Sequence, residues 1–432
     1  MATILDKQRY SCPLAGMRTV SAIQRSLPIL HSSQGCAEKL FGGGGSSGYF
    51  SPHIFPCSAL GESEVIFGGT DRLRETIEYA FKVVDADFYV VLSSCVSEII
   101  GDDVVGVVAS FEGSEKPLVY ASTPGFGGTS YTGHEAVLKA IFSQYLEPAA
   151  TVEKGLVNVW ASVPYQDQYW AGDYEVLGSL LESIGLTPNI IFGYGSSLEK
   201  VQRIPAAQFN LLVSPWVGLS GVQLLEERFG TPFLHYPTLP VGAVETTRFL
   251  ETIGSFAGVD PLKTKQVIDR NEERYYHYIE RYADTFLETR VMAKYFTVIS
   301  DAVQTLAFTR FFTNDLGLLP GKQYVIDETP EEYRDLVRAQ FTDLNYGNAA
   351  EISFESDGHL IHEQIRAADY HGYPLLIGSS WEKPLADELF AHYLALASPS
   401  LERLVVDRSY VGYSGGLRLI EDIYSVVMTR FN

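Results

Sequence analysis

The chain's four cysteines, Cys12, Cys36, Cys57 and Cys95, all lie in its first quarter. Thiolates are soft ligands, suited to iron–sulfur clusters and to zinc. Zinc ribbons draw their ligands from closely spaced CxxC pairs, and no such pair occurs here. Iron–sulfur ligands can come from separate loops. Small neighbours such as Gly35, Ser94 and Ser97 would let backbone N–H groups approach cluster sulfides. Inert buried thiols are the alternative, because free cysteine commonly behaves as a small hydrophobe. Three thiols leave a four-coordinate centre one ligand short. The remainder would come from Cys57, another residue or another chain.

Other motifs carry less. Gly43, Gly45 and Gly48 match GxGxxG, but a dinucleotide site needs that pattern between a strand and a helix. Here it follows a helical-looking region and precedes Pro52, which suits a flexible loop or a close backbone approach. No GxxxxGK[ST] occurs, and Gly193-Tyr-Gly195 stands at the wrong distance from Lys200. His359 and His362 sit at i, i+3 with Glu363 beside them. A zinc site is conceivable, but HExxH is absent and a solvated helix face is the expectation. His31 and His134 flank the cysteine block as possible hydrogen-bond donors, with His31 read as a loop residue. No nucleophilic triad can be assembled from spacing.

Buried strands must position these residues. Asp87–Ser93 is a short apolar run that ends just before Cys95, as a strand covered on both faces does. Similar runs are Gly155–Ala161, Asn189–Gly193, Phe209–Ser214, Tyr295–Ser300, Glu351–Glu355 and Pro374–Ser380. Helical patterns such as Tyr174–Ile184 and Ser220–Phe229 alternate with them, and Pro261–Thr289 is a charged helical stretch. Within it, Arg270–Arg281 reads as an exposed helix with i, i+4 pairs. The class is therefore α/β with parallel sheets, and ligands belong at strand C-terminal ends. The expected blocks are residues 1–150 with the cysteines, 151–260, and 261–432 with a C-terminal helix.

With 46% hydrophobic and 20% charged residues, the chain has the mix of a globular protein. A formal charge of −21 opposes nucleic acid and anionic lipid over most of the surface. No secretory signal and no run of about 18 apolar residues is visible, which predicts a cytoplasmic protein without a spanning helix.

Four segments resemble the β-type subunits of nitrogenase component 1, in order and in spacing. They are Cys12-Pro-Leu-Ala-Gly16, Leu27-Pro-Ile-Leu-His31-Ser-Ser-Gln-Gly-Cys36, Glu62-Ser-Glu-Val-Ile-Phe-Gly-Gly69 and Cys95-Val-Ser-Glu-Ile-Ile-Gly-Asp-Asp103. Weaker similarity runs through Ser122–Phe126, Phe229–Phe233 and Gly412–Leu417. The resemblance implies three Rossmann-like domains and an α2β2 heterotetramer with an α-type partner. It also implies a P-cluster-type, [8Fe-7S]-like centre shared between subunits, with Cys12, Cys36 and Cys95 as this chain's metal ligands. The missing thiolates would then be the partner's. The catalytic iron–sulfur cofactor would lie in the partner, and a separate ATP-hydrolysing iron protein would deliver electrons. No catalytic residue is expected in this chain.

The departures from that family pattern are specific. Gly125 stands where many β-subunits carry a serine able to join the oxidised cluster. An Arg-rich stretch after the second cysteine is replaced by Gly42–Gly48 and Ser51–Phe55, and the long N-terminal extension is missing. Cys57 has no clear counterpart among the ligands and reads as structural. Cofactor-assembly scaffolds typically lose the third cysteine, whereas Cys95 is present. The resemblance therefore favours a nitrogenase-like reductase, first methylthio-alkane reductase and next an alternative nitrogenase.

Overall fold

The computed structural model describes residues 13–37, 55–282, 293–400 and 402–430. Cys12, the Gly43–Gly48 pattern and the last part of Pro261–Thr289 lie outside the described residues.

Three parallel sheets follow one another along the chain. The first contains β1 (Ser26–His31), β2 (Phe88–Ser93) and β3 (Leu118–Ala121), in the order β1-β2-β3. Its central strand shows why a continuous apolar run was needed. Phe88, Val90 and Leu92 pack in one cluster with Leu14 and Met17 of the Pro13–Ser21 helix. Tyr89 and Val91 pack in another with Leu73, Ile77, Val104 and Val107. The period-2 alternation thus feeds two covered faces. At Gly16 an added Cβ would lie 3.2 Å from Leu92 Cδ1, so this glycine lets the helix lie close on β2.

β1 contains Pro28, a residue that argues against a central strand. It pairs with β2 on one side only, and its other side carries an isolated bridge from Leu30 to Cys57. Proline is tolerated on such an edge. His31 is consequently the last residue of a strand and fully buried, a correction to its reading as a loop residue.

The second sheet holds β4 (Glu153–Trp160), β5 (Thr187–Asn189), β6 (Ala207–Val213) and β7 (Phe233–Tyr236), in the order β5-β4-β6-β7. The expected strand at Asn189–Gly193 shifts toward the N-terminus. Ile191 and Phe192 instead fill the core beyond the strand end. The third sheet comprises β8 (Tyr295–Ser300), β9 (Leu319–Pro320), β10 (Gln323–Val325), β11 (Ile352–Phe354), β12 (Leu375–Gly378) and β13 (His392–Ala395). Its order is β11-β10-β8-β12-β13, with β9 paired to β8.

The Pro261–Arg281 helix buries Thr264, Ile268 and Tyr275, so it is an amphipathic helix with one packed stripe. The C-terminal Gly412–Arg430 helix crosses the Gly242–Ala257 helix. A Cβ at Gly416 would meet Gly242 Cα at 2.6 Å, which accounts for glycine at this crossing.

Candidate metal centre

Register brings two of the sequence-selected cysteines to one edge of the first sheet. His31 of β1 pairs with Ser93 of β2, and Leu92 pairs with Ala121 of β3. The segments carrying Cys36, Cys95 and Gly125 therefore leave the C-terminal ends of three adjacent parallel strands. That edge is where α/β sheets place ligands. Cys36 and Cys95 are free, partly exposed thiols. Cys95 opens the short Cys95–Ile100 helix, and its Sγ accepts a hydrogen bond from the Gly125 N–H at 3.1 Å.

Ser94 and Ser97 are buried, and they bond chiefly to each other's turn. The Ser94 N–H donates to Ser97 Oγ at 2.8 Å, and Ser97 Oγ donates to the Ser94 carbonyl at 3.1 Å. They fix the start of the helix that presents Cys95. A Cβ at Gly35 would meet no atom within 4 Å among the described residues. Cys57 is differently placed. Its thiol donates to the Ser32 carbonyl at 3.5 Å and accepts from the Ala59 N–H at 3.4 Å. Burial pushes this thiol above its ordinary range.

Two clamps hold this edge. The His31 ring bonds Asp102 Oδ2 through Nε2 at 2.8 Å and Ser58 Oγ through Nδ1 at 2.9 Å. The other Asp102 oxygen accepts the Gly69 N–H at 2.8 Å. An added Cβ at Gly69 would come within 2.7 Å of Asp102 and 3.2 Å of His31. Gly69 and Asp102 of the FGG and GDD segments are thus tied to one histidine. Burial pulls the His31 pKa down against the opposing pull of Asp102. In the second clamp, Glu98 accepts hydrogen bonds from Ser93, Tyr120 and Ser122. His134 lies deeper, with Nδ1 2.8 Å from Thr19 Oγ1, and burial pushes it down to about 3, so it is a neutral packing residue.

The remaining histidine candidates are separate from this edge. His362 Nε2 lies 3.3 Å from the buried carboxylate of Glu382, rather than on a solvated face as expected. Among the described residues, no group of three or more His, Cys, Asp or Glu side chains is arranged to hold a metal ion.

The family model for nitrogenase component 1 type oxidoreductases matches residues 11–428. The chain belongs to that family. The nitrogenase molybdenum-iron protein beta chain of Clostridium pasteurianum is 22% identical, over 97% of this chain and 92% of that protein. Its counterpart from Methanococcus maripaludis is 25% identical, over 97% and 93%. A light-independent protochlorophyllide reductase polypeptide of Chloroflexus aurantiacus is 24% identical, over 83% and 64%. A solved structure described as nitrogenase Cp1 at pH 6.5 superposes with a TM-score of 0.82 at 19% identity, covering 100% of this chain and 94% of that one, and so shares the nitrogenase component 1 fold.

Within this nitrogenase component 1 type chain, sequence reasoning missed Glu98 and Asp102 as organisers of the edge. Both stood in the Cys95–Asp103 motif. Apart from Ser93, their partners are 22 or more residues away, so only the sheet register reveals the contacts.

Proposed function

We propose that this chain is the β-type subunit of a nitrogenase-like reductase, and that Cys12, Cys36 and Cys95 are its half of an [8Fe-7S]-like, P-cluster-type centre. The observation that carries this reading is the side-by-side placement of the Cys36 and Cys95 segments at one strand edge, with the Gly125 N–H on Cys95 Sγ. The donor set fits such a centre, because partly exposed thiols can become the soft, deprotonated ligands that iron–sulfur clusters take. When bound, the cluster supplies one-electron storage and transfer.

This chain's residues would do four things. Cys12, Cys36 and Cys95 would hold iron from one side. The Gly125 N–H would donate to a ligand sulfur, which tunes such centres. Ser94 and Ser97 would fix the Cys95 turn, and the His31–Asp102 pair would keep the Cys36 strand end in place. Exposed apolar Ile99 and Phe126 (74% and 66%) flank Cys95 and Gly125, which supports coverage of this face by an α-type partner. The proposed assembly is a cytoplasmic α2β2 heterotetramer. The partner holds the catalytic iron–sulfur cofactor, and an ATP-hydrolysing iron protein is the electron donor. No described helix is long and apolar enough to cross a membrane. We assign the blocks 1–150, 151–260 and 261–432 as its three Rossmann-like domains.

For the reaction, we favour reductive C–S cleavage of methylthio-alkanes. The supporting features are Gly125 at the family's serine position and the altered segment after Cys36. Dimethyl sulfide would take up two electrons and two protons to give methane and methanethiol. N2 reduction is the second reading, favoured by alignment with nitrogenase beta chains over nearly the whole length. The test is anaerobic co-purification with the α-type partner, then turnover with the iron protein and ATP. Methane from dimethyl sulfide supports the first reading, and ammonia from N2 without methane supports the second. Bound clusters with no turnover of either substrate would indicate a scaffold.

A further inference from the structure

Glu98 lies one helical turn after Cys95, so their side chains rise from the same side of the Cys95–Ile100 helix. One oxygen of its carboxylate collects three hydroxyl donors. Ser93 comes from the end of β2, Tyr120 from β3 at 3.0 Å, and Ser122 from the segment leading to Gly125 at 2.6 Å. Desolvation works against its charge, but the hydrogen bonds from Ser122, Ser93 and Tyr120 outweigh it and hold the carboxyl below the usual range. Hydroxyls orient a carboxylate without cancelling its charge. No Lys, Arg or His ion pair with Glu98 occurs among the described residues.

The same network ties together both sides of the Cys95 sulfur. Ser93 Oγ also accepts the Thr123 N–H at 3.2 Å, and Thr123 Oγ1 donates to the Ser93 carbonyl at 2.8 Å. Two residues beyond Thr123, the Gly125 N–H reaches Cys95 Sγ. Glu98 is therefore built into the frame that aims a donor at the sulfur, and it carries a negative charge one helical turn from the cysteine.

We propose that Glu98 is a positioning residue whose anionic carboxylate sets the reduction potential of the iron–sulfur centre held by Cys95. The inference rests on the cluster reading above. A fixed anion disfavours adding an electron nearby, and net charge is among the determinants of such potentials. Removing that charge while keeping the hydrogen-bond acceptor moves the potential to a more positive value.

The experiment is redox titration, followed by EPR, of the anaerobically purified complex carrying Glu98→Gln or Ser122→Ala, beside the unaltered complex. Ser122→Ala removes one donor and leaves the charge. The expected result is wild-type iron content in both variants, a positive shift in Glu98→Gln, and no positive shift in Ser122→Ala. Equal potentials in Glu98→Gln and the unaltered complex overturn the inference. So does a positive shift of the same size in both variants, which would report a structural role for the network. Loss of iron in Glu98→Gln with retention in Ser122→Ala likewise overturns it, in favour of a scaffolding carboxylate. An unaltered complex without iron would instead remove the underlying cluster reading.

Discussion

The Gly125 amide donates to Cys95 Sγ across 3.1 Å, although the two residues leave different strands. The contact joins the end of β2 to the segment after β3. It makes Gly125 a neighbour of the sulfur through its backbone N–H. The edge is thus organised around a sulfur that receives a hydrogen bond from one side and is partly open on the other.

The His31–Asp102 pair should be worth more than a surface ion pair, since both side chains are almost fully buried. Removing one partner of a buried hydrogen bond typically costs about 1–3 kcal/mol, and more where the group left behind is charged, because that group is stranded. His31→Ala and Asp102→Ala should each lower the denaturant midpoint substantially. The double variant should lose less than the sum of the two. Strict additivity in the cycle would show that the pair is not coupled.

Cys57 is tied to backbone groups, in contrast to the open thiols. Cys57→Ser should therefore leave the iron content of the purified complex unchanged. Iron analysis checks this, and a loss comparable to that of a Cys36 variant would make Cys57 a ligand.

Asp173 should make stability depend on pH. It accepts hydrogen bonds from Ser162 at 2.8 Å and Ser409 at 2.6 Å, joining the second sheet to the C-terminal part of the chain. Burial raises it to about 7, with Asp301 adding to the rise. Asp167, nearby, is also raised, chiefly by burial. The native state therefore binds the proton more tightly than the unfolded chain. The contribution is complete below the unfolded pKa of about 4 and is lost as pH rises to about 7. Asp173→Asn should flatten the fall in thermal midpoint between pH 5 and pH 8. Parallel profiles for variant and wild type would contradict the assignment.

Gly416→Ala should loosen the crossing of the two long helices. The new Cβ would fall 2.6 Å from Gly242 Cα, where no flexible side chain can move aside. Overpacking of this kind costs about 1–3 kcal/mol. Thermal unfolding measures it, and an unchanged midpoint would mean that the crossing is looser than described.

Much of this arrangement could be read from residue patterns where they are local. Phe88–Leu92 is apolar at every step because both faces are covered, and the observed strand, Phe88–Ser93, coincides with the expected run apart from Asp87. Tyr295–Ser300 agrees end to end. Ser26–His31 is less legible, because Pro28 argues against a strand unless an edge is known in advance. The 189–193 run misled because Ile191 and Phe192 are buried without being in a strand. The cysteine motifs pointed to Cys36 and Cys95, whose segments leave adjacent strand ends, but the contacts of His31, Glu98 and Asp102 depend on partners brought in by register. Glu98 and Tyr120, for instance, are 22 residues apart.

The central claim is that thiols of this chain hold part of a shared iron–sulfur centre. Its most direct test is iron content and EPR of the anaerobically purified complex with Cys95→Ala, compared with the unaltered complex. Loss of the shared centre, loss of electron delivery and an unchanged far-UV circular dichroism spectrum are the expected result. Wild-type iron and normal electron delivery in the Cys95→Ala complex would contradict it.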